Sequence, residues 1–141
     1  MDEALRELVD CWLAKASMDR KAAERLEPGD DEEGCDPSYL DAAAFHHQQA
    51  AEKTLKAYLA YKSTAFKKTH QLDKLLSLAA TVDVDFDSLA DAAETLAPFA
   101  VEIRYPGDWG EISREEYDEA KQAAEEIAGF VMERMKEIDR R

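Results

Sequence analysis

The sequence predicts an all-α protein, a single domain over residues 1–141 folded as an antiparallel up-and-down bundle of four long helices plus one short helix. Three observations lead there. Apolar residues recur at three- and four-residue spacing through most of the chain, which is the period of one helix face. Ala, Leu, Glu and Lys dominate while only 5 Gly and 4 Pro occur, a mixture with high helix and weak strand propensity. The periodic stretches are joined by short breaks, as neighbouring antiparallel helices require.

The first helix is expected over residues 3–26, with Leu5, Leu8, Val9, Trp12, Ala16, Ala23 and Leu26 on one face. Pro28, Gly29, Gly34 and the acid run between them then form a solvated loop. Asp36-Pro37 restarts a helix as N-cap and first residue, running to about Lys62. Its side with Leu40, Ala44, His47, Ala51, Leu55 and Tyr58 is apolar, and Phe45, Gln49, Glu52, Lys53 and Lys56 lie roughly opposite. Phe45 at the head of that polar stripe suggests that this helix is contacted on both sides. Thr69 is placed to cap a shorter helix carrying Leu72, Leu75, Leu76 and Leu78. A fourth helix starts near Asp85 or Asp87, is kinked or split at Pro98, and stops at Arg104-Tyr105-Pro106-Gly107. Ser113 and Glu116 have the spacing of a capping box for the last helix, whose stripe runs from Tyr117 through Ile127 and Val131 to Ile138.

Composition excludes several function classes. Thirty-two acids against eighteen bases leave a net charge of −14, which repels a phosphate backbone and argues against non-specific nucleic-acid binding. No apolar run is long enough to cross a membrane, and the acidic, amphipathic N-terminus is unlike a secretory signal. Cys11 and Cys35 form no CxxC pair, so a reduced cytoplasmic protein is expected, with no disulfide, metal or cofactor. Asp83, Asp85, Asp87 and Glu94 have the spacing of a calcium loop, but Ser88 stands where its sharp turn needs Gly. These acids are better read as helix N-terminal charges.

The segment from Phe45 to Ala57 has the pattern F-H-x-x-Q-A-A-E-K-x-L-K, followed by Thr69-His70-Gln71-Leu72 and by Arg104-Tyr105-Pro106. In this order and spacing the chain resembles the HEPN (higher eukaryotes and prokaryotes nucleotide-binding) family, from about Trp12 to the last helix. The resemblance implies a helical bundle that homodimerises. It also implies one of two modes of action: a metal-independent endoribonuclease, often a toxin, with an R-x(4–6)-H motif, or a module that binds a nucleotide or a minimal nucleotidyltransferase partner, in the manner of a toxin–antitoxin pair. No arginine here has a histidine four to six residues downstream. Cleavage through the 2′-hydroxyl needs a base tuned near neutral pH and a cation for the phosphorane, and Arg104 lacks its local base. The expectation is therefore a non-catalytic module, without catalytic residues, that binds a purine nucleotide or protein partner through Gln49, Lys53, Lys56, His70, Arg104 and Tyr105. The alternative is a ribonuclease that uses His47 or His70. His47, on the apolar side of its helix, reads as a hydrogen-bonded core histidine and His46 as an exposed one. Glu52 and Lys56 read as an i,i+4 ion pair, and Lys53 has no such partner, because Gln49 is neutral.

Overall fold

A computed structural model describes residues 2–27, 38–100 and 112–139. Helix α1 spans Glu3–Leu26, α2 Ser38–Tyr61, α3 Leu72–Val82, α4 Ala90–Leu96 and α5 Arg114–Asp139, and no strand occurs among the described residues. The segments expected to carry Cys35, Asp36-Pro37, Arg104-Tyr105-Pro106 and Trp109 lie outside the described residues.

The helix ends follow local chemistry. Asp2 caps α1, its side chain accepting from the Leu5 N–H at 2.7 Å. The α5 capping box forms in both directions: Ser113 Oγ accepts from the Glu116 N–H at 3.0 Å, and Glu116 Oε1 accepts from the Ser113 N–H at 3.2 Å. Helix α2 stops in a Schellman turn, in which the Thr64 N–H reaches the Leu59 carbonyl and the Ser63 N–H that of Ala60. Ser63 adopts φ 54° there, a conformation usually left to Gly.

Two ends differ from the sequence expectation. Helix α3 starts after Gln71, and Thr69 Oγ1 accepts from the Gln71 N–H in the approach to the helix. The fourth apolar segment is an α-helix only over Ala90–Leu96. A 3-10 turn over Val84–Leu89 precedes it, with the Asp83 side chain accepting from the Asp85 N–H, and Pro98 lies in a second one at Ala97–Phe99. Proline has no N–H to continue the α ladder and clashes with the preceding turn, so the segment tightens rather than extends.

Helix α2 is the centre of the packing and touches α1, α3 and α5. From His47 to Ala60 every residue except Lys53 is buried. Both the apolar side and most of the stripe opposite it are covered, as Phe45 suggested. Tyr58 packs on Phe86 at 4.5 Å between ring centroids, and Phe86 on Phe130 at 4.9 Å, joining α2, the 3-10 turn and α5. Helix α1 runs antiparallel to α2 and covers it with Val9, Ala16 and Ala23. Leu8, one residue ahead of Val9 and so about 100° around the helix, points outward and is exposed. Arg134 fastens the far end of α5, pairing with Asp83 at 3.3 Å and Asp85 at 3.0 Å over the Phe130 ring. Two acids of the calcium-like spacing are thus engaged by an arginine.

Leu55, fully buried in α2, sets a stability test. Leu55→Ala should cost about 3 kcal/mol through lost transfer energy and a residual cavity. Val84→Ala, at a 69% exposed site, should change stability by no more than about 0.5 kcal/mol. Urea unfolding midpoints of the two variants check the contrast; similar losses in both would contradict the central place of α2.

Candidate functional site

Glu52 is the hub of the polar side of α2. Only 2% of its side chain is exposed, so its charge must be met inside the protein. Lys56, one turn on, donates to Oε2 at 3.1 Å, and Oε1 lies 2.9 Å from Nδ1 of His70, in the loop before α3. The Lys56 ammonium also sits 5.3 Å from the centre of the Trp12 ring of α1, a cation–π contact in a nearly dry place. Gln48 donates its amide to the His70 carbonyl at 3.2 Å, and Gln49 donates to the Gln48 side chain at 2.7 Å. One continuous network therefore joins Gln49, Gln48, His70, Glu52 and Lys56. The His70 side chain, 70% exposed, is its edge toward solvent.

A second group bridges α1 and α2. Asp19 accepts from His46 Nδ1 at 2.8 Å and from the Lys53 ammonium. Lys53 thus finds on α1 the partner that its own helix denies it. His46, expected to be exposed, is half-buried and bound instead.

The third group closes the bundle at the end of α1. Tyr117 donates to Glu27 at 2.6 Å, Lys121 donates to the same oxygen at 3.0 Å, and Arg114 lies 3.7 Å from the other. Burial by itself raises the Glu27 carboxyl, but these hydrogen bonds and the charges of Lys121 and Arg114 outweigh it and hold the group below the ordinary carboxylate value. Burial and the Glu27 carboxylate hold the Tyr117 phenol far above its ordinary value. The Tyr117 proton is therefore present and committed to Glu27, so the phenolic oxygen meets His47 as an acceptor. Nε2 of His47, 3.1 Å away, must carry the hydrogen. That fixes the tautomer and leaves Nδ1 as a bare acceptor. Burial, reinforced by Lys121, pushes His47 down to about 4, so the ring is neutral at physiological pH.

The expected binding residues divide accordingly. Gln49, Lys56 and His70 come together in the Glu52 network, and Lys53 stands in the Asp19 group. Arg104 and Tyr105 lie outside the described residues. His47 is the hydrogen-bonded core residue expected. Sequence reasoning missed Gln48, Asp19 and Glu27 as partners, and saw Glu52 only as half of an i,i+4 pair. Among the described residues no cluster of His, Cys, Asp and Glu has the makings of a metal site.

Neutral burial of His47 gives pH dependence a sign. Its folded value, about 4, lies below the ordinary 6.5, so between them the unfolded chain binds the extra proton and stability rises with pH. The contribution is complete above pH 6.5 and is lost as pH falls toward 4; in full it is on the order of 3 kcal/mol. Urea midpoints across that range should fall for the parent chain and fall less for His47→Gln. Equal slopes would show that His47 does not carry the effect.

Comparison with known proteins agrees with this architecture. The crystal structure of an archaeal HEPN homologue matches with a TM-score of 0.61 at 23% identity, over 89% of this chain and 96% of that one, a likeness that speaks for the fold. A search of curated proteins gives no match. The family model described as HEPN domain matches residues 9–135, a span that contains α2 with its Glu52 hub, the His70 loop and the closing Tyr117 contact; the chain belongs to the HEPN domain family.

Proposed function

We propose that this protein is a non-catalytic HEPN module, which pairs with a second copy of itself and binds a purine nucleotide or a minimal nucleotidyltransferase at the exposed His70 edge of the polar network on α2. The observation that carries this reading is the state of the cations there. Lys53 and Lys56 are already matched by Asp19 and Glu52. A site that stabilises a phosphorane needs positive charge free to meet the charge developing in the transition state. Lys53 is spent on tying α2 to α1 and Lys56 on the buried Glu52 carboxylate, whereas the exposed His70 edge is open to hydrogen bonding with a base, a ribose or a partner. A chain of net charge −14 also suits a small ligand or a protein better than a long polyanion.

Melting curves with purine nucleotides, together with light scattering on a sizing column, test this reading. The expected result is a dimer whose stability rises with nucleotide, by about 2.7 kcal/mol at a hundredfold excess over Kd. His70→Asn, which keeps an N–H donor toward Glu52 and removes the imidazole, should fold, remain dimeric and lose that rise. A monomer indifferent to nucleotides, and alone when recovered from extract by affinity capture, would remove the proposal.

A ribonuclease reading is favoured by one observation, the buried Glu52 carboxylate oriented on the exposed His70 ring at 2.9 Å. A carboxylate so placed fixes the tautomer and orientation of an imidazole, leaving its other nitrogen as an acceptor. Of the two histidines considered, His70 suits that role and the enclosed, neutral His47 does not. This reading predicts cleavage of single-stranded RNA in the presence of a chelator, abolished by His70→Ala and retained by His47→Gln. No cleavage by the parent protein ends it.

A further inference from the structure

Helix α1 turns Val9, Ala16 and Ala23 to α2 and leaves a second line of mostly small or apolar side chains in water. Ala4, Leu8, Cys11, Lys15, Met18 and Ala22 recur at alternating four- and three-residue steps, which keeps them on one stripe of a helix for about 27 Å. All but the half-buried Ala22 are exposed. Leu8 is 49% exposed, and Met18, at 70%, is the most exposed large apolar side chain among the described residues. The alternation is that of the seam between two paired helices, and no helix among the described residues covers it.

The stripe is symmetric about its own midpoint. Outward from the level of Leu13, Ala4 mirrors Ala22, Leu8 mirrors Met18 and Cys11 mirrors Lys15. An antiparallel copy of α1, related by a twofold axis at that level, therefore sets small residues against small and Leu8 against Met18 twice over, as an isologous contact requires. The charges at the edge obey the same symmetry. Glu7, Ala14 and Lys21, all exposed, run along the side of the stripe away from Trp12 and Asp19, which meet α2. Across the axis Glu7 faces Lys21 of the second copy, and Lys21 faces its Glu7. Side chains lean toward the N-terminus of their own helix, so in antiparallel helices these two lean toward each other. On its own helix Glu7 has no cation three or four residues away, only Glu3, Ala4, Asp10 and Cys11. A parallel pair is worse matched: it sets the two Lys15 ammonium groups side by side, whereas the antiparallel pair lays each Lys15 stem on Cys11 of the other copy with its charge in water.

We propose that the outward stripe of α1 is the surface through which two copies of this chain pair, antiparallel about a twofold axis near Leu13. Leu8 and Met18 supply the apolar contact, and the two Glu7–Lys21 pairs fix its direction. This surface rests on the self-pairing proposed above and gives it a place on the molecule; it is independent of what binds at His70.

Sedimentation equilibrium of the full chain tests it with substitutions at exposed sites, which leave the fold intact. Glu7→Lys or Lys21→Glu alone creates two like-charge pairs in each dimer. Either should raise the dimer dissociation constant about tenfold, the equivalent of roughly 1.4 kcal/mol. The double exchange, Glu7→Lys with Lys21→Glu, restores both pairs with their signs reversed and should return the constant to within about threefold of the parent value. The two sites lie about 21 Å apart along one helix, so that recovery has no route within a single chain. Leu8→Glu should keep the helical circular dichroism of the parent and abolish the dimer. A dimer that none of these variants weakens pairs through another surface, which overturns this proposal and leaves self-pairing standing. Weakening by the single exchanges without recovery in the double overturns the antiparallel arrangement. A parent chain that stays monomeric removes the surface and the self-pairing together.

Discussion

A carboxylate cannot be taken out of water without being answered, and the position of Glu52 in the most enclosed helix of the bundle makes that answer a constraint on everything around it. Breaking a buried pair of this kind by removing one partner typically costs about 3–5 kcal/mol. Lys56 supplies the countercharge from the same helix. His70 supplies the second contact from the chain that follows, and so dictates how that loop returns to α2. Trp12 covers the ammonium from α1. Three separate stretches of the chain are thereby held in register around one side chain, and the His70 ring is the part of that arrangement visible from solvent.

Much of the fold was legible because it rests on local rules. The period of the apolar residues located α1, α2 and α5, and Ser113 with Glu116 marked the start of α5 because a capping box involves only four consecutive residues. Helix α4 was less legible. Its leucines and alanines continue the period, but whether a short stretch closes as an α or a 3-10 turn depends on Asp83 capping one end and Pro98 tightening the other. Sequence periodicity does not weigh those contributions. Nor does it separate Leu8 from Val9, neighbours of which only the second faces α2.

The contacts of the singled-out residues were not legible in the sequence. Gln49, Lys56 and His70 were singled out together and do share one network, but Gln48, which connects two of them, looked like any other polar residue. Lys53 appeared to lack a partner because the only neighbours a sequence displays are those on the same helix, and Asp19 lies 34 positions away. The same holds for Glu27, which is 90 positions from Tyr117. Tertiary ion pairs of this separation carry no local signature. Their constraint is on where helices cross, and a single sequence does not state it.

The separation of Glu27 from Tyr117 also bears on how the protein reaches its structure. Contacts within the α1–α2 pair close moderate loops and can form early, whereas bringing α5 back to the end of α1 closes a loop of most of the chain. Loop-closure entropy therefore predicts that the Tyr117 hydrogen bonds with His47 and Glu27 form when α5 docks, late in folding. Opening of those contacts exposes α2 along the side that α5 covers. On that expectation, amide exchange in α5 would be faster than in the α1–α2 hairpin, which keeps the Glu52 network when α5 opens.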